Sequence, residues 1–296
     1  MAGTTRICGC KGYRFCVECE NAFAKEFVNL STSLPPVDRV YEYCIKCKKA
    51  WPVETTLDVS LCPSHSGTPV EIEGIHIQES FLTDEESRKL LKGCDSIEWS
   101  QSQSGRRKQN FGPKTNFKEK KLKIGNFKGF PTVFKWVHKK IKEVKILEDY
   151  KVIENCSLEY RPETGAYIDK HIDDCWVWGE RIVTINILGD SYLTLTKYEG
   201  SHDKYNLKYV DFKSKHSVAN NVAIRLPMPV NSLMVLYGEA RYIWEHAVTR
   251  SDINNRRVCI ALREFTSWFL DGSNEVANEV LRKAKEYYPI EQRFEA

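Results

Sequence analysis

The chain has 296 residues, 42% of them apolar and 28% charged, with a net charge of +4. That is enough for one large domain with a small appendage, and enough to bury a substantial core. It excludes a uniformly basic polyanion binder, and no apolar run is long enough to cross a bilayer, so any preference for anions has to come from a local patch.

The N-terminal stretch "MAGTTRICGCKGYRFC" lacks the basic-then-apolar plan of a secretory leader, so cytoplasm and nucleus are the expected locations. In that reducing setting the eleven cysteines are not expected to form disulfides. Most of them fall within residues 1–66, which read as a separate Cys-rich module with a Pro-containing loop at "STSLPPVDRV". Its two C-x2-C pairs, Cys16 with Cys19 and Cys44 with Cys47, have the ligand type and near-spacing of a zinc site. Cys8, Cys10, Cys62 and His65 would complete a second set of four, and one ion is expected rather than two. A set of reduced thiols on an arm is the metal-free alternative.

Residues 67–149 come next. "VEIEGIHIQESF" alternates like a strand. "TDEESRKLLKG" reads as a short helix, with Thr83 and Glu86 as a capping box and Gly93 as its stop. "SQSGRRKQNFGPKTNFKEKKLK" is basic and punctuated by Gly and Pro. Arg106, Arg107 and Lys108, with Phe111 close by, are the residue types that a nucleic-acid strand or an acidic protein surface would meet. A solvated Lys-rich loop is the plainer reading. "PTVFKWVHKKIKEV" places Val133, Phe134, Val137, Ile141 and Val144 on one face of a helix that starts at Pro131.

From 150 to 270 the pattern becomes short apolar runs separated by Gly, Pro, Asn and Asp, which predicts an all-β barrel or sandwich. A closing helix is expected in the tail, 271–296, at "NEVANEVLRKAKEYY". Within the β region, His171 and Asp173 stand two apart at "HIDD". In an extended chain they point to the same side. His246 follows a later strand, and two imidazoles with one carboxylate, leaving open positions, make the facial ligand set of non-haem Fe(II) oxygenases. Further on, "RRVCIALREF" puts Arg257, Cys259, Ala261 and Arg263 on one face of a strand and Val258, Ile260 and Leu262 on the other. The two arginines lie about 20 Å apart at roughly 3.3 Å per residue. Their side chains would leave a gap sized for a five-carbon dicarboxylate, and guanidinium is the planar partner of carboxylate. Trp176 and Trp178 either wall a substrate pocket or pack at a barrel rim. Asp174 either orients a ligand or is an exposed carboxylate.

The order "HIDD … EHAV … RRVCIALREF" resembles the AlkB family of Fe(II)- and 2-oxoglutarate-dependent dioxygenases. "CGCKG", "QSGRRKQ", "FGPK" and the "D…W.WGER" segment at 174–181 point to one branch of it. The resemblance covers most of the chain, least at 40–66 and 197–220. It implies a mostly β fold with flanking helices: a double-stranded β-helix, or jelly-roll, core, preceded by the Cys-rich module and a substrate lid. It implies His171, Asp173 and His246 as iron ligands, Arg257 on the distal carboxylate of 2-oxoglutarate, Arg263 near its keto-acid end, and Tyr160 as a hydrogen-bond partner. Leu158 replaces an Asn frequent in the family two residues before that Tyr. The implied reaction is oxidative N-demethylation with O2, releasing succinate, CO2 and formaldehyde. The implied substrates are methyl-lysine in a protein such as actin and N6-methyladenine in DNA, acted on by a monomer without a membrane. Two rival readings are a non-catalytic, zinc-containing interaction protein on a degenerate barrel, and a cupin-like metal protein, which would not need the two arginines.

Overall fold

The structure, a computed structural model, describes residues 8–12, 14–23, 37–53, 62, 65–212 and 221–290. The Pro-containing loop expected at 31–40 lies mostly outside them. The short helix α1 (Val17–Phe23) is followed by the hairpin β1 (Arg39–Cys44) and β2 (Lys49–Pro52), then β3 (Ile75–Gln78) and α2 (Asp84–Asp95). The basic segment forms β4 (Ser100–Gln101), β5 (Arg107–Phe111), β6 (Lys114–Asn116) and β7 (Lys121–Lys123). After β8 (Phe130–Pro131) and α3 (Lys135–Lys140), β9 (Glu154–Tyr160), β10 (Ile168–His171), β11 (Trp178–Leu188), β12 (Ser191–Lys197), β13 (Val222–Met228) and β14 (Leu233–Leu236) follow. The one-and-a-half-turn α4 (Gly238–Tyr242), β15 (Trp244–Val248), β16 (Arg257–Phe265), α5 (Glu275–Lys283) and β17 (Tyr287–Tyr288) complete the chain.

The strands make two large sheets, one in the order β10-β15-β12-β13-β1-β2 and the other β3-β14-β11-β16-β9-β5-β4. Their pairing is antiparallel throughout except for β1, which runs parallel to β13. This is the double-stranded β-helix expected from the β-rich half. The outer face of the second sheet is covered by helices. Val258, Ile260 and Leu262 of β16 share one apolar cluster with Leu90 of α2, Val137 of α3 and Val280 of α5. The inner faces enclose a second cluster that includes Tyr160, Leu195, Leu226, Met228, Leu236 and Cys259. The sidedness read into β16 is therefore the boundary between scaffold and site.

Helix α2 has its capping box, with Thr83 accepting from the Glu86 backbone and Glu86 accepting from the Thr83 backbone. It does not stop at Gly93 but continues to Asp95. A Cβ at position 93 would lie 2.9 Å from Val133, so this glycine makes room for a neighbour rather than ending the helix. The long helix expected after Pro131 is only α3, flanked by 3-10 turns. The tail helix is shorter than expected because Tyr287 and Tyr288 leave it to pair with β8.

The sequence boundary at residue 66 is not a boundary in the sheets. β1 and β2 extend the first one beyond β13, so a segment read as part of a separate module lies inside the jelly roll. Among the described residues no helix is long and apolar enough to cross a membrane.

Candidate iron and 2-oxoglutarate site

β10 and β15 are antiparallel neighbours, and their register puts His171 directly opposite His246. The rings sit 4.3 Å apart between centroids. Asp173, just past the end of β10, brings Oδ2 to 3.6 Å from His246 Nε2. The three ligand atoms all lie within 4.8 Å of one another. Asp173 is buried, and its two oxygens are used differently. Oδ1 accepts from Arg263 Nε at 2.7 Å, whereas Oδ2 is buried with no hydrogen-bond partner. A buried carboxylate oxygen left without a donor is costly, and a cation held between the three ligands would satisfy it.

The electrostatics agree. Burial lowers the His246 ring to about 3, with the neighbouring His171 adding to the effect, and burial lowers His171 as well. Both imidazoles are therefore neutral with lone pairs to offer. Burial opposes ionisation of Asp173, but Arg263 and the two histidines outweigh it and hold the carboxyl far below its ordinary range. His171 Nδ1 is paired with the Asp169 carbonyl at 2.8 Å, which leaves Nε2 for the ion. Two histidines and a carboxylate in this arrangement fit Fe(II).

Arg257 is 1% exposed, yet Nε and Nη1 make no hydrogen bond, and Nη2 reaches only the Met228 sulfur at 3.4 Å. Its guanidinium lies 4.9 Å from the centre of the Tyr160 ring, and Arg106 lies 5.9 Å from the same ring. A fully buried cation with two unmatched N–H donors calls for an anion, and planar carboxylate matches the fork. Arg263, six residues along the same strand, stands at the metal end with two of its nitrogens bound to carboxylates: Nε on Asp173, and Nη1 on Glu154 at 2.5 Å. The two arginines share a face, but of the two only Arg257 has no carboxylate partner.

The substrate residues expected in the basic segment are divided by the alternation of β5. Arg107, Gln109 and Phe111 turn toward the helices. Arg107 pairs with Glu159, Gln109 bonds the Cys94 and Ile97 carbonyls, and Phe111 packs on Phe134. Arg106 turns inward over Tyr160, and Lys108 is exposed beside it on the same face of the strand. Trp178 is buried in the helix-side core, and Trp176 packs edge-on against Phe269. Asp174 accepts from the Trp176 backbone and from Asn206 Nδ2, so it holds its own loop rather than a ligand.

Two further residues escaped the sequence reading. Buried Arg241 donates to the carbonyls of Asp173, Trp178 and Gly179, pinning the loop after Asp173. Glu154 completes the Asp173–Arg263 chain. Arg241 left no sequence signal. Glu154 could have been found as the carboxylate on the strand face it shares with Cys156, Leu158 and Tyr160.

The cysteines group differently from expectation. Cys8, Cys10, Cys16 and Cys19 converge, and separately so do Cys44, Cys47, Cys62 and His65. The two C-x2-C pairs do not share an ion. Arg14 ties the first group to β10, at one edge of the first sheet, while the second sits at the β1–β2 hairpin on the other edge. Five strand spacings of about 4.8 Å separate those edges, roughly 24 Å along the sheet.

No family model matches the chain. It is 34% identical to the human "Alpha-ketoglutarate-dependent dioxygenase alkB homolog 4", over 94% of this chain and 93% of that protein. It is also 34% identical to a Caenorhabditis elegans protein named "DNA N6-methyl adenine demethylase", over 92% and 91%. Among solved structures, OsALKBH1 aligns with 64% of this chain and 98% of its own at 11% identity and a TM-score of 0.42. A Pseudomonas putida prolyl-4-hydroxylase aligns with 65% and 92% at 12% identity and a TM-score of 0.40. The sequence relatives, two of them named alkB homolog 4, cover nearly the whole chain at 33–34% identity, and the chain belongs to the AlkB family of Fe(II)-, 2-oxoglutarate- and O2-dependent dioxygenases.

Proposed function

We propose that the chain removes N-methyl groups oxidatively, and that its substrate is N6-methyladenine in DNA. The observation that carries the chemistry is the pairing of two unmet demands on one inner surface: a carboxylate oxygen without a donor at Asp173, and a guanidinium without an acceptor at Arg257. When bound there, Fe(II) with 2-oxoglutarate supplies the activation of O2 that oxidises the methyl carbon, and the resulting carbinolamine loses formaldehyde. The chain's own part is placement. Arg257 takes the distal carboxylate of 2-oxoglutarate, and Tyr160 walls that end. Arg263 fixes Asp173 in one rotamer, Arg241 fixes the loop behind it, and the Asp169 carbonyl sets the tautomer of His171. Asp173 is buried and the two histidines are half-buried, which limits the water that can compete at the ligands.

The nucleic-acid reading is supported by the cleft beside the site. A cavity of about 580 Å³ is lined by Asn110, Lys114, Lys128 and Tyr288, and it reaches Glu154, the partner of Arg263. Lys108 adds an exposed cation on the strand next to Leu158. Cations interleaved with aromatic rings suit a phosphate backbone and a stacked base. The name of the C. elegans relative points the same way.

The test is release of formaldehyde and succinate from Fe(II), 2-oxoglutarate and O2 with a DNA oligonucleotide carrying N6-methyladenine, run beside a methyl-lysine peptide of actin type. Turnover on the oligonucleotide that falls with salt and with Lys108→Ala is expected. Turnover on the peptide alone would replace the nucleic-acid reading with the protein one. No turnover on either, with 2-oxoglutarate unconsumed, would sink both.

A further inference from the structure

We infer that the chain carries two independent zinc sites, and that the first braces the strand bearing His171. The four cysteines of the first site form a miniature core with Phe15, their one large apolar partner among the described residues. Cys10, Cys16 and Cys19 are all buried. Cys8 and Cys19 bring their sulfurs to 3.0 Å, far longer than the ~2.05 Å of a disulfide. All four sulfurs lie within 4.8 Å of one another. Thiolates at about 2.3 Å from one tetrahedral ion stand roughly 3.8 Å apart, so the cluster needs little adjustment to close on zinc. A segment this short cannot hold four converging thiols, three of them buried, together by apolar burial alone.

The second site has different chemistry. Cys44 and Cys47 flank the tight turn between β1 and β2, where Lys48 takes a left-handed φ of 59°. Trp51 Nε1 donates to Cys47 Sγ at 3.2 Å, the kind of N–H···S bond that favours a thiolate. The Trp51 ring stacks on His65 at 4.7 Å and sets its plane, and His65 Nε2 is a buried nitrogen without a partner. Three thiolates and one imidazole make a closed structural zinc set.

Among the described residues only the first site touches the catalytic strands. Arg14, between its ligands, binds Asp169 at 2.7 Å and also bonds Gln103. Asp169 is the residue whose carbonyl receives His171 Nδ1. Glu20, next to Cys19, takes both Arg250 Nη atoms at 2.7 and 2.8 Å just beyond β15. The Phe15 backbone N–H donates to the Tyr167 hydroxyl just before β10. The approach is close enough to require glycine. Gly105 has φ +72°, and a Cβ there would meet the Thr164 carbonyl at 2.5 Å and Cys16 at 3.2 Å. Zinc in the first site therefore fixes the loop that holds both β10 and the end of β15, the strands of the two iron-binding histidines.

Metal analysis of the full-length protein tests the count. Two zinc ions per chain are expected, falling to one in Cys16→Ser and to one in Cys44→Ser. Cobalt substitution of the unaltered protein should give overlapping spectra of an all-thiolate and a three-thiolate, one-imidazole site, which covers the case in which a serine variant does not fold. Fewer than two ions, loss of both in either single variant, or an iron–sulfur absorption band would overturn the assignment. The brace is tested by Arg14→Gln, which removes no zinc ligand. It should retain both ions and bind Fe(II) about tenfold more weakly, the size expected when support to a ligating histidine is lost. Fe(II) affinity unchanged in Arg14→Gln with both zinc ions in place would overturn the brace.

Discussion

At the level of single residues, the unmatched donors of Arg257 carry a signed prediction. Arg257→Met should lower 2-oxoglutarate affinity by a factor on the order of 10² to 10⁴, from the roughly 3–5 kcal/mol typical of breaking a buried ion pair. The same change removes an unpaired buried charge from the cosubstrate-free protein, which should therefore melt higher than the unaltered chain while losing its thermal shift on adding 2-oxoglutarate. Differential scanning fluorimetry with and without the cosubstrate reads both effects. A lower melting temperature in the cosubstrate-free variant would mean that Arg257 is a structural ion and not a receptor. These residues were legible because their spacing is chemical: two residues apart for His171 and Asp173, six for Arg257 and Arg263, each matching one strand face. Arg241 was not legible, because its partners are backbone carbonyls brought to it by the fold, and carbonyls carry no sequence signature. Within the basic segment Arg107 and Phe111 misled because charge was read without pleat. Once β5 is a strand, Arg107 belongs to Glu159 and Phe111 to the core.

Among the elements, α2 and α3 meet where Lys140 pairs with Glu86, and each carries a measurable contribution to stability. Thr83→Ala removes the cap of α2 and should cost about 1 kcal/mol in chemical denaturation. His138 of α3 is buried, with Nε2 on the Asn155 side-chain oxygen and Nδ1 against the Tyr287 hydroxyl. Burial lowers its pKa to about 4, against the opposing bond to Asn155. The unfolded ring titrates near 6.5. The stability held by the neutral ring is therefore complete above about pH 6.5 and is lost as the pH falls toward 4, on the order of 3 kcal/mol in all. Urea midpoints measured over that window should fall more steeply for the unaltered chain than for His138→Gln. Equal slopes would place the acid sensitivity elsewhere. The capping box at 83–86 was readable from sequence because caps are local. The shortness of α5 was not, since it depends on Tyr287 and Tyr288 leaving the helix to pair with β8, far back along the chain.

For the molecule as a whole, the β character of the C-terminal half was plain from period-two patterning, and so was the sidedness of β16. The division at residue 66 was not recoverable, because a Cys-rich composition describes ligands and says nothing about which sheet edge a strand will join. Residues 39–44 alternate apolar and polar weakly, and their place is set by pairing with β13 rather than by their own pattern. The same long-range pairing separates the two cysteine groups to opposite edges of one sheet, which no spacing along the chain could reveal.

The parallel ladder of Arg39 to Glu42 with Val222 to Arg225 has a practical consequence for anyone who shortens this protein. A truncated enzyme beginning at residue 67 would keep every iron and cosubstrate contact named above, yet it would bare one whole margin of β13, including Val222 and Ile224. Unpaired backbone of that kind recruits another chain. Such a fragment should elute early from gel filtration and become turbid at concentrations where the intact protein stays clear. If it remained a well-behaved monomer, the first strand would be an ornament to the barrel and not its selvedge.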